Sequence, residues 1–308
     1  VINFNLLPEG AFEPMASVAN NLIDKLYTAT GYIFTPKGKK KDMEDAVSFF
    51  VNEIKSNKEM PILAKAAAIS DARKLIKEYC NQQDILNIAM DNLEEAAKPD
   101  LIDNDWLGEF WAKAGCINDN EIKILFGKIL AGACNGKGTR VSKSLIHKIC
   151  VMDSMSAKAI QKLSEFVVKI YAIDMDGNVI DKEINALYFG DHFGWDDKYN
   201  CNDLQLLELE ALGILKYELY TIAFGGTINN VLKPIKELRI YCNNQFFTIT
   251  GDNKDFKDLS IPVRIPAGMV CLTNDGKYLM SLFENIKYSD EYFERIKSVF
   301  REDGYKVW

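Results

Sequence analysis

Two histidines are all that this chain has in 308 residues, and none of its seven cysteines stands in a C-x-x-C pair. These absences remove the common zinc frameworks, which need paired ligands at short spacing. The cysteines, at 80, 116, 134, 150, 201, 242 and 271, are odd in number and widely spread. That pattern predicts reduced, mostly buried thiols in a cytoplasmic protein rather than a disulfide framework. No apolar run approaches the roughly 18 residues that a membrane span requires. The opening "VINFNLLPEG" lacks the basic region and continuous apolar core of a signal peptide. Positive charge is also short. The net charge of −7 disfavours a nucleic-acid partner, because neutralising phosphates takes a basic face.

What is present is an ordinary core-forming composition, 48% hydrophobic and 26% charged. The first half carries helical periodicity. Met15, Ala19, Leu22, Ile23 and Leu26 recur at three-and-four spacing along residues 11–34. Then comes "TPKGKKKD", with Pro36, Gly38 and four lysines in five residues. A second helix places Met43, Ala46, Val47, Phe50, Val51 and Ile54 on one stripe. A third is expected over "EMPILAKAAAISDARKLIKEYC" and a fourth over "DILNIAMDNLEEAA". Trp106, Leu107, Phe110, Trp111 and Ala114 give the next helix a broad apolar face. Asn118, with Glu121 three residues on, has the spacing of a capping box. The helix it would open carries Ile122, Leu125, Phe126, Ile129 and Leu130. Ser142 is placed to cap "KSLIHKICVM", and "SAKAIQKLSEFVVKIY" is expected to continue in helix.

The second half changes period. "AIDMDGNVI" reads as a hairpin about Asp176–Gly177. "DLQLLELEALGIL" reads as a short helix ending at Gly213. "KYELYTIAF", "KELRIYC", "QFFTIT" and "MVCLT" alternate as strands do, and "NDGKYLMSLF" and "DEYFERIKSVFRED" close the chain as helices. Helix, "LGIL", strands and "LTNDGKYL" follow one another in the order of a winged-helix module. The expected fold is therefore mainly α with a smaller α+β part: a helical domain followed by a winged-helix-like domain. The expected divisions are residues 1–40, an amphipathic helix and basic linker; 41–155, a helical domain; and 156–308, the winged-helix-like domain.

The stretch "ILAGACNGKGTR" looks at first like a phosphate-binding loop. A P-loop needs G-x-x-x-x-G-K-[ST] between a strand and a helix. Here Ala131 stands at the first glycine position, Gly138 follows Lys137, and Thr139 comes one place late. The preceding element is a helix, and a helix C-terminus repels phosphate. Glycine in this stretch suits a helix end. A calcium loop over "AIDMDGNVIDKE" fails at position one, Ala172, although Asp174, Asp176, Gly177, Val179 and Glu183 fall in register. His147 and Cys150 lie one helical turn apart but lack a second ligand pair, so a semi-buried histidine and a buried cysteine are expected there. His192 sits in "GDHFGWDD", an expected exposed turn. No nucleophile elbow or catalytic pair is visible.

"DNDWLGEFWAKAGCINDNEIKILFGKILAG", followed by Ser142–Lys143 and Leu145, resembles the bacterial family catalogued as domain of unknown function 2806. "MASVANNLIDKLYTATGYIFTP", "LQLLELEALGIL", "CLTNDGKYL" and "REDGYKV" are similar to further motifs of that family, in the same order. Two positions depart. Ala133 stands where the family carries Glu, and "GKGTRV" replaces its Pro-Gly. Trp106, Phe110, Trp111, Ile129, Leu130, Gly132 and Ser142 are the signature and structural positions. The resemblance implies a bacterial cytosolic protein and names no reaction, no cofactor and no metal.

The helix "DLQLLELEA" carries Asp203, Glu208 and Glu210 and neither lysine nor arginine, the wrong sign for a major groove. The expectation is thus a non-enzymatic interaction protein that assembles through its helical half and meets a protein partner, a second copy included. Leu22, Leu26, Lys39, Lys40 and Lys41 are the candidate contact residues. The alternatives are a cellular-defence effector acting through the opening helix and a DNA-associated regulator.

Overall fold

A computed structural model describes residues 13–34, 40–136, 141–179, 184–186, 203–224, 227–228, 231–232, 235–242, 245–250, 263–283, 290–302 and 304–308. Lys39, Lys137, Gly138, Thr139, Glu183, His192 and Cys201 lie outside the described residues, as do the side chains of Met15, Lys40 and Lys41. The protein is mainly α-helical with a smaller α+β part, and it divides into two compact units, Val1–Ser154 and Met155–Trp308.

Every element described in the first unit is helical. α1 (Glu13–Thr30) and α2 (Lys40–Ser56) are followed by α3 (Ile62–Asp91). The third and fourth helices expected from sequence are this one helix of 30 residues. "NQQD" between them holds no Gly or Pro and so gives no reason to stop. α2 starts at Lys40, which puts Lys40 and Lys41 in its first turn rather than in a linker. α4 (Asn104–Gly115) is capped by Asp103, whose carboxylate accepts from Trp106 N at 2.9 Å. α5 (Asn120–Cys134) is capped by Asp119, not Asn118: Asp119 Oδ1 takes Glu121 N at 2.9 Å and Ile122 N at 3.2 Å. The side chain of Asn118 instead donates to Cys116 O at 3.3 Å. α6 (Lys143–Cys150) is capped by Ser142, which accepts from Leu145 N at 3.0 Å as expected.

The core of this unit forms where the second half of α3 meets α4 and α5, with α1 against α4. Ile85, Leu86 and Ala89 of α3, Leu107 and Phe110 of α4, and Phe126 and Leu130 of α5 have no exposed surface. Buried amides fasten the same junction. Asn81 Nδ2 donates to Gly115 O at 2.9 Å, and Gln82 Nε2 to Trp111 O at 3.0 Å. These bonds offset the cost of burying polar groups between helices.

The second unit opens with α7 (Ser154–Leu163) and a short 3-10 turn, Ser164–Phe166. Helix was expected through "VVKIY"; instead Val168–Asp174 is strand β1. Val168, Ile170 and Tyr171 are β-branched or aromatic and suit a pleated surface better than a helix. β1 is followed by β2 (Ile184–Ala186), α8 (Asp203–Ala211), β3 (Leu215–Phe224), β4 (Thr227–Ile228), β5 (Val231–Leu232), β6 (Ile235–Cys242), β7 (Gln245–Thr250) and β8 (Val263–Leu272). α9 (Asn274–Ser281), α10 (Asp290–Glu302) and β9 (Lys306–Val307) complete it. Seven strands form one antiparallel sheet in the order β3-β8-β2-β1-β6-β7-β9, and β4 pairs with β5 separately.

One face of the sheet is the core. Val168, Ile170 and Ala172 of β1 stand opposite Cys242, Ile240 and Leu238 of β6, and all six are buried. α10 supplies cover: Phe293 and Phe300 lie 5.6 and 5.9 Å, ring to ring, from Phe247 of β7. Tyr292 of the same helix donates its hydroxyl to Phe166 O at 3.0 Å. The helix, four strands and second helix expected as a winged-helix module are α8, β3, β6, β7, β8 and α9; β3 pairs with β8, while β6 and β7 lie on the far side of β1. β3 and β8 form one edge of the sheet. The Asp-Gly hairpin is present. Asp174 Oδ1 accepts from Asp176 N and Asn178 N, and Ile173 bridges to Val179.

Candidate functional site

The described part of the glycine-bearing stretch, residues 129–136, is a helix end. α5 runs on through Cys134, and Gly132 is a buried residue inside it. Asn135 caps the helix, its N–H reaching Ala131 O at 2.8 Å. Its side chain bonds to the turn after α3: Oδ1 accepts from Glu94 N at 3.0 Å and Nδ2 donates to Asn92 O at 3.0 Å. Gly136 follows at φ 68°, the left-handed conformation that ends helices and favours glycine. A helix, not a strand, delivers this loop, so the electrostatic argument against a phosphate stands.

The aromatic positions are core. Trp106 stacks on Phe110 at 5.1 Å, Phe110 meets Phe126 at 5.1 Å, and Trp111 meets Tyr32 edge-on at 4.7 Å. Ile129 and Leu130 are buried with them. Trp106 Nε1, Trp111 Nε1 and the Tyr32 hydroxyl have no hydrogen-bond partner among the described residues. Packing alone positions these rings.

Leu22 and Leu26 need correcting as contact residues. Both are fully buried, on the face of α1 that packs against α4. The apolar stripe of this amphipathic helix is satisfied within its own unit, with Lys25 Nζ donating to Asp100 O at 3.3 Å on the adjoining side. Asn21 and Asp24 on the other side of α1 are exposed, and the Leu22–Leu26 stripe is not a surface.

Glu109 of α4 joins two residues of α6. Its Oε2 accepts from Lys143 Nζ at 3.0 Å, and its Oε1 lies 2.8 Å from His147 Nε2. These hydrogen bonds, that from Lys143 first, hold the Glu109 carboxyl below its ordinary value. His147 is exposed rather than semi-buried, because it faces this carboxylate at the surface. Cys150 is half-buried rather than buried, and burial raises its thiol above the ordinary value. Among the described residues no group of three or more His, Cys, Asp or Glu is placed to hold a metal ion.

The strongest surface feature is one the sequence reading missed. α2 and the first half of α3 pair as a helical arm. Val51 is the one buried hydrophobic residue described in α2, and α3 has none before Ile85. Phe49 is 62% exposed, Ile62 88% and Leu63 82%; Phe50 and Leu75 are exposed as well. Phe49 and Phe50 pack edge-on at 5.6 Å. Across the arm's tip Lys65 Nζ donates to Lys55 O at 3.2 Å. Phe50 belongs to the stripe expected to be buried, but it stays exposed among the described residues. Phe49, off that stripe, and Ile62–Leu63, directly after Pro61, were the available signals. In the second unit α8 buries Leu206 and Leu209 and exposes Leu204, Leu207 and Glu208. Glu208 Oε2 accepts from Ser156 Oγ at 3.3 Å. The exposed side of this helix is apolar and acidic.

No helix among the described residues is long and apolar enough to cross a membrane. The sequence profile of the family described as "Protein of unknown function (DUF2806)" matches residues 70–297. The chain belongs to that family. The match takes in the core of the first unit and most of the second, and starts within α3, beyond the tip of the arm. No curated protein and no solved structure matches the chain.

Proposed function

We propose, from membership of the DUF2806 family, that this protein is a non-enzymatic interaction protein of the bacterial cytoplasm. It assembles through its helical half and contacts a protein partner through the winged-helix-like half. The observation that carries this reading is the arm of α2 and α3, which presents Phe49, Phe50, Ile62, Leu63 and Leu75 to solvent. Contiguous exposed apolar side chains on a folded surface mark contact sites more often than isolated ones do. Aromatic residues among them are the usual anchors of an interface. α8 supports the second half of the reading. Its exposed leucines and glutamate suit a protein surface and oppose a phosphate backbone.

The test is a surface variant, Ile62→Glu with Leu63→Glu, assayed for mass by light scattering and for partner capture from the native source. Both side chains are exposed, so the fold should survive. The reading expects a smaller assembly or lost capture. Unaltered mass together with unaltered capture would retire it.

A further inference from the structure

We propose that Cys116 and Cys150 form a facing dithiol that a hydroperoxide closes to a disulfide, joining the C-terminal ends of α4 and α6. The argument is one of register. Glu109 meets Lys143 at 3.0 Å and His147 at 2.8 Å, which fixes where α6 stands beside α4. Cys116 lies seven residues after Glu109, and Cys150 seven after Lys143. Seven residues are two helical turns to within about 20°. Each cysteine therefore falls on the same face as the ion-pair residue that precedes it. The backbone of Cys116 remains right-handed helical, φ −82° and ψ −10°, so the face of α4 carries through it.

The direction of the two helices completes the register. Lys113 and Cys116 stand in the electrostatic surroundings of Cys150. Both belong to the C-terminal end of α4. Antiparallel helices would have set Cys150 beside the start of α4 instead. That neighbourhood fits parallel helices, and parallel helices place both cysteines at the same, C-terminal, end of the pair. Both thiols are free in this structure.

Their exposure assigns the roles. Cys116 is exposed and meets the oxidant; Cys150 is half-buried behind it. The Cys116 thiolate attacks one peroxide oxygen, the O–O bond breaks, and the other oxygen leaves with the thiol's proton, as water from hydrogen peroxide or as an alcohol from an organic hydroperoxide. Cys116 is then a sulfenic acid. The Cys150 sulfur attacks the Cys116 sulfur, the S–OH bond breaks, and the hydroxyl leaves as water with the second thiol's proton. The peroxide is reduced by two electrons and the dithiol is oxidised by two. Burial disfavours the Cys150 thiolate, and the Lys113 ammonium partly offsets this in the second step. Cys134 and Cys242 offer a contrast: burial pushes each thiol up to about 12, and neither is reached by solvent oxidant.

The full-length protein would be treated with hydrogen peroxide, alkylated, digested and measured by mass spectrometry. The expected product is a linked peptide pair holding Cys116 and Cys150, lighter by two hydrogens, reversed by dithiothreitol and absent in Cys116→Ser. Sulfinic acid at Cys116 with Cys150 still alkylatable would overturn the proposal. A second measurement needs no oxidation. Phenylarsine oxide, which binds facing dithiols, should bind the reduced protein one to one and weaken by about tenfold or more in Cys116→Ser. Equal binding by the two proteins would overturn the proposal as well.

Discussion

The α-carbon of Gly276 lies against the carbonyl oxygen of Ile214, closer than any β-carbon would permit. Thr273, the cap of α9, holds this approach in place. Its N–H reaches Ile214 O at 3.1 Å, and its hydroxyl lies 2.8 Å from the carbonyl oxygens of both Gly213 and Ile214. The hydroxyl oxygen in turn accepts from Gly276 N at 3.2 Å. "LGIL" and "LTNDGKYL" are two halves of one joint.

Gly276→Ala should therefore destabilise the second unit. The colliding atom is backbone, which cannot swing aside, so a cost of about 1–3 kcal/mol or more is expected. Thermal unfolding of the variant checks this. An unchanged midpoint would mean that α9 can shift without loss.

Truncation should damage the first unit. Leu22 and Leu26 have no exposed surface, so Leu26→Ala should cost about 2–5 kcal/mol. Deleting residues 1–36 should unfold the helical half rather than release an appendage. Denaturant titration followed by circular dichroism distinguishes the two results.

The pair Lys123–Asp84 predicts an asymmetry. Lys123 Nζ lies 2.7 Å from Asp84 Oδ2, with the lysine side chain 10% exposed and the carboxylate side chain 57% exposed. Asp84→Ala strands a nearly buried ammonium and should cost about 1–3 kcal/mol. Lys123→Met leaves a carboxylate that water already reaches, and should cost less. Chemical denaturation of both variants reads the difference, and equal losses would contradict it.

Acid should loosen the join between α4 and α6. Hydrogen bonds from Lys143 and His147 lower the Glu109 carboxyl below its ordinary 4.5 in the folded chain. A lowered folded value means stability that is present above pH 4.5 and lost as pH falls through the folded value. Glu109→Gln should remove this part of the acid dependence. Unfolding midpoints between neutral pH and pH 3, compared for the two proteins, supply the check.

Much of the fold is legible in local chemistry. Ser142 and Thr273 cap the helices that their positions suggest, because a cap is a bond between residues three apart. The Asp-Gly turn forms where a short side chain can reach its own backbone. The stripe of Trp106, Phe110 and Trp111 is buried, as helical spacing requires. Periodicity also separates a helical first half from a strand-bearing second half. The errors lie at boundaries where local preference is nearly neutral. Asp119 rather than Asn118 caps α5, and "NQQD" continues α3 without a break.

The candidate sites were decided by tertiary structure. The sequence by itself determined which residues share a face: Leu22 with Leu26, Trp106 with Phe110, Glu109 with Cys116. It could not determine which faces find a neighbour. Leu22 and Leu26 are buried because α4 packs on them, and Phe50 is exposed on an arm that α2 and α3 form among the described residues. Glu109 meets Lys143 across 34 residues of chain and so defines the register of Cys116 and Cys150. Periodicity is a property of the backbone and can be read in one dimension. Burial and pairing depend on contacts between distant segments, and only the folded chain brings those segments together.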